Sequence, residues 1–127
     1  MSVWRTSIRC YVSLAGNNKI ADWYRGLSPQ EKADADEFLK NIRKTLDWRP
    51  PDYRPRLRDG EGLGELRWQS ENKQHRLLGF FMGGAWYAVV GCTHKQQIYD
   101  PADSPTMAKR YKKQIERQEV QTVEYDL

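Results

Sequence analysis

The chain has 127 residues, 39% of them hydrophobic and 30% charged, with a formal net charge of +4. That describes a soluble globular protein of one domain, large enough to bury a real core. No apolar run approaches the roughly 20 residues of a membrane helix and the start lacks a signal peptide's apolar stretch, so a cytoplasmic location with no membrane partner is expected.

Trp4, Thr6, Ile8, Cys10 and Val12 alternate with Arg5, Ser7, Arg9, Tyr11 and Ser13, which predicts an opening strand. Ala15 to Asn18 form a turn, and Asn17 or Asn18 caps a short helix over Lys19 to Arg25 with Ile20, Trp23 and Tyr24 inward. Ser28-Pro29-Gln30-Glu31 carries a serine N-cap, a first-turn proline and a capping-box glutamate. The helix it starts is predicted to reach about Leu46, with Ala35, Phe38, Leu39, Ile42 and Leu46 as its apolar stripe. From Asp47 to Gly62 the chain is rich in proline, arginine and glycine, and the prolines predict an extended linker outside the sheet. Two readings stand for it: a plain connection, or a basic stretch tracking a nucleic-acid backbone, with Trp48 and Tyr53 offering a stacking surface.

Leu63 to Lys95 reads as three strands joined by tight turns, an antiparallel meander. Gly83-Gly84 supplies the positive φ a two-residue hairpin loop needs, which sets Met82 opposite Ala85, Phe80 opposite Tyr87, Leu78 opposite Val89 and Arg76 opposite Gly91. A four-residue loop from Ser70 to Lys73 sets Gln69 opposite Gln74 and Arg67 opposite Arg76. Alternation then gives one nearly apolar face of Leu66, Trp68, Leu77, Phe81, Trp86, Ala88, Val90 and Cys92, covered by helices. The other face gathers Glu65, Arg67, Gln69, Arg76, Thr93 and Lys95 at one end. Facing arginines repel; either an anion such as a nucleic-acid phosphate lies between them or Glu65 bridges them. Cys10 and Cys92 are predicted to be buried, reduced thiols, and no metal-type spacing or phosphate loop is present, so no cofactor is expected. Beyond the meander come Tyr99 in a loop and a second capped helix from Ser104-Pro105 to about Glu119. Its inner side is Ala108, Tyr111 and Ile115, and its outer side is the basic patch Lys109, Arg110, Lys112 and Lys113. Residues 1–120 form the single domain and residues 121–127 a loosely held tail.

The segments Gly64-Glu65-Leu66-Arg67-Trp68-Gln69, Gln74-His75-Arg76-Leu77-Leu78-Gly79-Phe80-Phe81 and Gly91-Cys92-Thr93-His94-Lys95 resemble the RelE/ParE toxin superfamily, in its HigB-like, phage-derived branch. The similarity runs from Val3 to about Ile115. It implies an α+β fold of the microbial-ribonuclease type: an N-terminal strand, a helical hairpin, a three-stranded antiparallel meander and a C-terminal helix. It further implies a growth-inhibiting toxin that cuts messenger RNA on the ribosome, a cognate helix-turn-helix antitoxin as partner, and operator DNA bound only through that antitoxin. His75 stands where the family places tyrosine, and Glu65 where RelE itself has lysine. The non-enzymatic alternatives are a gyrase-blocking toxin of the ParE kind and a phage-derived binding module without toxicity.

Carried over residue by residue, the resemblance places Arg67 and Arg76 on the phosphate. His94 is the candidate acid or base, or else a strand-end histidine bonded to a loop. Lys95 adds charge, and Tyr99 stacks a base or donates a proton. His75 points into the apolar face. Arg56, Arg58, Lys73, Lys109 and Lys112 are the candidate RNA-backbone contacts.

Overall fold

The computed structural model describes residues 6–126; Trp4 and Arg5 of the predicted opening strand lie outside them. Among the described residues the chain forms a mixed α+β fold of three helices and one seven-stranded sheet. The elements are β1 (Ser7–Tyr11), α1 (Lys19–Arg25), α2 (Pro29–Arg43), β2 (Tyr53–Arg54), β3 (Gly64–Ser70), β4 (Lys73–Met82), β5 (Ala85–Lys95), β6 (Ile98–Asp100), α3 (Ser104–Glu116) and β7 (Thr122–Glu124). The sheet order is β2-β3-β4-β5-β1-β7, with β6 also paired to β5. β1 runs parallel to β5 and antiparallel to β7. Among the described residues no helix is long and apolar enough to cross a membrane.

Seven strands, against the four expected from the sequence, arise from three short additions. Tyr53 and Arg54 lie between Pro51 and Pro55 and pair with Leu66 and Glu65, with the Arg67 N–H donating to the Asp52 carbonyl at 2.8 Å, so part of the linker does join the sheet. Tyr53 and Trp48 are buried in the core and present no stacking surface. Ile98–Asp100 folds back on β5. The tail, expected loose, is held by β7: Arg9 donates to the side chain and carbonyl of Thr122 at 2.9 and 2.7 Å, and Tyr125 is buried.

Helix ends follow local chemistry. Asn18 Oδ1 accepts from the backbone N–H groups of Ile20 and Ala21 at 3.1 and 3.0 Å. Ser28 Oγ accepts from Glu31 N–H at 3.1 Å while Ser28 N–H donates to Glu31 Oε1 at 3.0 Å, the reciprocal box. α2 stops at Arg43, short of Leu46, because the Trp48 indole N–H donates to the carbonyls of Ile42 and Thr45, both at 3.0 Å. Leu46 is consequently exposed. α3 also ends early, at Glu116, and Asp103 rather than Ser104 sits at its N-cap; Ser104 Oγ donates to the Pro101 carbonyl at 2.6 Å.

Register decides which side chains meet. β3 and β4 pair as the sequence predicts, Arg67 opposite Arg76, although the loop is the two-residue turn Glu71–Asn72. Between β4 and β5 the pairing holds from Met82–Ala85 to Gly79–Ala88, then Leu78 pairs with Val90, leaving Val89 as one extra residue. Arg76 therefore faces Cys92 and not Gly91. Past the bulge the alternation is inverted: Val90 and Cys92 leave the α1/α2 side for the core beneath α3, with Leu78, Phe80, Ala108, Tyr111 and Ile115. Cys10 and Cys92 are free and buried in the two separate cores, and burial pushes both thiols up to about 12.

The same inversion turns Gly91 toward α1, where the Trp23 ring lies on its backbone and leaves no room for a side chain. A Cβ there would sit 2.4 Å from the indole. Gly91→Ala is expected to lower stability by about 1–3 kcal/mol, with no change in the Arg67 face, as read from a urea denaturation midpoint.

Candidate functional site

On the α3 side of the sheet, β2, β3, β4, β5 and β6 contribute one cluster of polar groups. Glu65 is opposite Arg54 on one neighbour and Leu78 on the other, Arg67 is opposite Arg76, and His94 is opposite Tyr99. Period-two alternation puts Arg54, Glu65, Arg67, Arg76, His94 and Tyr99 on this one face. Glu65 is its hub. Its Oε1 lies 3.3 Å from Arg67 Nε and 3.6 Å from Arg76 Nε, and its Oε2 accepts from the Tyr99 hydroxyl at 2.7 Å.

Exposure separates the two facing arginines. The Arg67 side chain is 33% exposed, that of Arg76 only 7% and that of Glu65 3%. Arg76 donates to the His75 carbonyl at 2.9 Å, and its Nε is buried without a hydrogen-bond partner among the described residues. Arg76 is thus closed off beneath Glu65 and Tyr99, and of the two arginines predicted to hold a phosphate only Arg67 is open to solvent. Burial pulls the Arg76 guanidinium below its ordinary value, opposed by the Glu65 carboxylate. Tyr99 is a strut: burial, then its bond to Glu65, pushes the phenol far above its usual range, so it stays protonated.

His94 is partly exposed, its ring 4.6 Å from that of Tyr99. Burial lowers its pKa, the positive charges of Arg76, Arg67 and Arg54 lower it further, and Glu65 alone opposes them. At neutral pH the imidazole is held neutral, with a lone pair to accept a proton. Three guanidinium groups around one carboxylate leave an excess of positive charge beside that base. The sequence reading missed Arg54, whose place immediately before Pro55 hid its pairing to Glu65. It also left Glu65 as a surface bridge, when the residue is buried.

The bulge sends Lys95 elsewhere. Lys95 and Thr93 share the opposite face of the sheet from His94 and line an open groove of about 730 Å³ with Lys73 and Asp100. Lys73 lies 3.6 Å from Glu31. Arg56 and Arg58 are exposed in the loop before β3. Lys109 is partly buried on α3, and Lys112 donates to Glu116 at 2.9 Å and covers the Phe80 ring at 5.1 Å.

His75 is 1% exposed on the α2 side, stacked on Trp68 and with Nε2 3.0 Å from Glu31 Oε2. Burial lowers its pKa in spite of Glu31. Both histidines are therefore depressed below the ordinary value near 6.5, and an unfolded chain takes up protons that the folded one refuses. Stability is complete above about pH 6.5 and falls as the pH drops from there toward the folded values, by at most about 1.4 kcal/mol per pH unit per histidine. Melting curves between pH 7 and pH 5 are expected to show the loss; Glu31, itself held below the usual carboxylate range chiefly by its bond from the Ser28 N–H, titrates only at lower pH.

Among the described residues no group of three or more histidine, cysteine, aspartate or glutamate side chains is arranged to hold a metal ion. Comparison with protein-family models, with curated proteins and with solved structures finds no match.

Proposed function

We propose that the protein is a toxin of the RelE/HigB type that cuts messenger RNA on the ribosome without a metal ion. The observation that carries this reading is the excess of guanidinium charge around a neutral, partly exposed imidazole on one sheet face. The chain order of strand, helical hairpin, meander and C-terminal helix supports the family.

RNA holds its own nucleophile. His94 takes the proton of the ribose 2′-hydroxyl, the 2′-oxygen bonds to phosphorus, the bond to the 5′-oxygen breaks, and that oxygen takes a proton from solvent. Arg67 holds the phosphate with its planar fork, Arg54 adds charge from the neighbouring strand, and both stabilise the extra negative charge at the phosphorane. Arg76 acts as a fixed positive charge behind them, while Glu65 and Tyr99 hold the guanidinium groups apart. A helix-turn-helix antitoxin is the partner this reading expects, with operator DNA bound through it.

A non-enzymatic binding module of the same fold is the second reading, favoured by the sealing of Arg76 under Glu65 and Tyr99. Induction of the wild type in growing cells separates them. Growth arrest with cleaved messages is expected; arrest with intact messages, or no arrest, overturns the nuclease and leaves the binding module.

A further inference from the structure

Glu65 on β3 and Tyr99 on β6 are separated by two strands, β4 and β5, yet their side chains meet: the Tyr99 hydroxyl donates to Glu65 Oε2 at 2.7 Å. Register shows what that bond crosses. Glu65 lies in the row of Leu78 and Val90, Tyr99 lies in the row of His94, and the row between them holds Arg76 opposite Cys92. These side chains share the α3 side of the sheet, so the bond from Tyr99 to Glu65 runs diagonally over Arg76. It is a strap. Beneath it the Arg76 side chain is only 7% exposed, and its Nε has no hydrogen-bond partner among the described residues. A buried guanidinium N–H left without an acceptor is costly, and an anion is the partner it lacks.

Glu65 stands where such an anion would sit. Its Oε1 lies between the facing arginines, 3.3 Å from Arg67 Nε and 3.6 Å from Arg76 Nε, the second too long for a hydrogen bond. The carboxylate also has another cation to turn to. Arg54 is directly opposite Glu65 on β2, is exposed, and forms no ion pair among the described residues. The far end of the strap is lightly held, since β6 has three residues, pairs only with β5, and leaves Ile98 exposed.

We infer that Tyr99 and Glu65 form an autoinhibitory strap: when β6 lifts, Glu65 turns to Arg54 and Arg76 is uncovered to take the same phosphate as Arg67, from the directly paired position. The inference rests on the nuclease reading above and gives that site two states. In the closed state Arg67 alone of the facing pair is open to solvent; in the open state two guanidinium groups face one anion, and Arg76 replaces the charge that Arg54 now spends on Glu65. A phosphate that binds the open state more tightly draws the protein toward it.

Phenylglyoxal labelling with peptide mass mapping reads the strap without any cleavage. In wild type Arg67 is expected to label faster than Arg76. In Tyr99→Phe, which keeps the ring and loses the hydroxyl, Arg76 is expected to label about tenfold faster than in wild type, the effect of losing one hydrogen bond to a charged group. Arg43, whose guanidinium donates to the carbonyls of Leu39 and Tyr125, is expected to keep its wild-type rate. A single-stranded DNA oligonucleotide, which carries phosphates but no 2′-hydroxyl, is expected to protect both Arg67 and Arg76 in the variant. In a translating extract Tyr99→Phe is expected to cut messages faster than wild type, by up to about tenfold. Equal labelling of Arg76 in the two proteins overturns the inference. So does a rise at Arg43 that matches the rise at Arg76, because the variant has then loosened throughout, and so does DNA that protects Arg67 alone. Slower cleavage by Tyr99→Phe also overturns it and leaves the nuclease standing, since the phenol then acts on the substrate. No cleavage by wild type overturns the nuclease reading, and the strap's role with it, whatever the labelling shows.

Discussion

Glu65→Ala is expected to lower stability by about 3–5 kcal/mol, the largest loss of any single polar substitution in this sheet. The carboxylate is the nearest counter-charge to an Arg76 side chain that is only 7% exposed, and it also accepts the Tyr99 hydroxyl. Its removal leaves a buried guanidinium facing another cation, Arg67, at the directly paired position. Glu65→Gln keeps an acceptor for Tyr99 and loses only the charge, so its cost falls between alanine and wild type. Glu65→Leu with Arg76→Met removes both charges at similar volume and is expected to restore most of what Glu65→Ala loses. Urea denaturation with unchanged slope measures all three. A cost below about 1 kcal/mol for Glu65→Ala would mean that solvent screens the network as it does a surface pair, and that Arg76 is not sealed.

That network was half legible in the sequence. The Arg67–Arg76 pairing followed from a short turn and from strict alternation in β3 and β4, both local properties. The place of His94 beside them did not, because it depends on the extra residue at Val89. Ala88, Val89 and Val90 are all apolar, so no polar residue marks where the alternation shifts, and both cores accept a valine. An unbulged strand would have put Thr93 and Lys95 beside the arginines; the bulge put His94 there and sent Lys95 to the opposite groove. The two-residue β2 and three-residue β7 are too short for periodicity to report. Tyr53 and Tyr125 are buried by tertiary contacts with the Trp86 core, which composition does not foretell. Helix starts were legible where a side chain makes the cap, as at Asn18 and Ser28. The end of α2 was not, since it depends on the indole of Trp48 reaching back to two carbonyls.

Arg67→Ala is expected to reduce message cleavage by about 10²–10³-fold while leaving the melting temperature almost unchanged. The two effects separate because Arg67 is the exposed member of the pair: its side chain is 33% open to solvent, and Glu65 retains Arg76 and Tyr99 without it. Removing one of two facing cations also relieves their repulsion, so stability holds or rises slightly. Arg76→Ala lacks this resolving power, since it leaves Glu65 buried beside fewer counter-charges and damages the sheet along with any activity. Arg67→Lys keeps the charge but not the two parallel donors, and an intermediate loss is the signature of a phosphate held by a fork. If Arg67→Ala cuts within about threefold of wild type in a translating extract, its guanidinium supplies none of the stabilisation expected of a group on the phosphorane. The excess charge around His94 would then serve the binding of a partner and not the breaking of a bond.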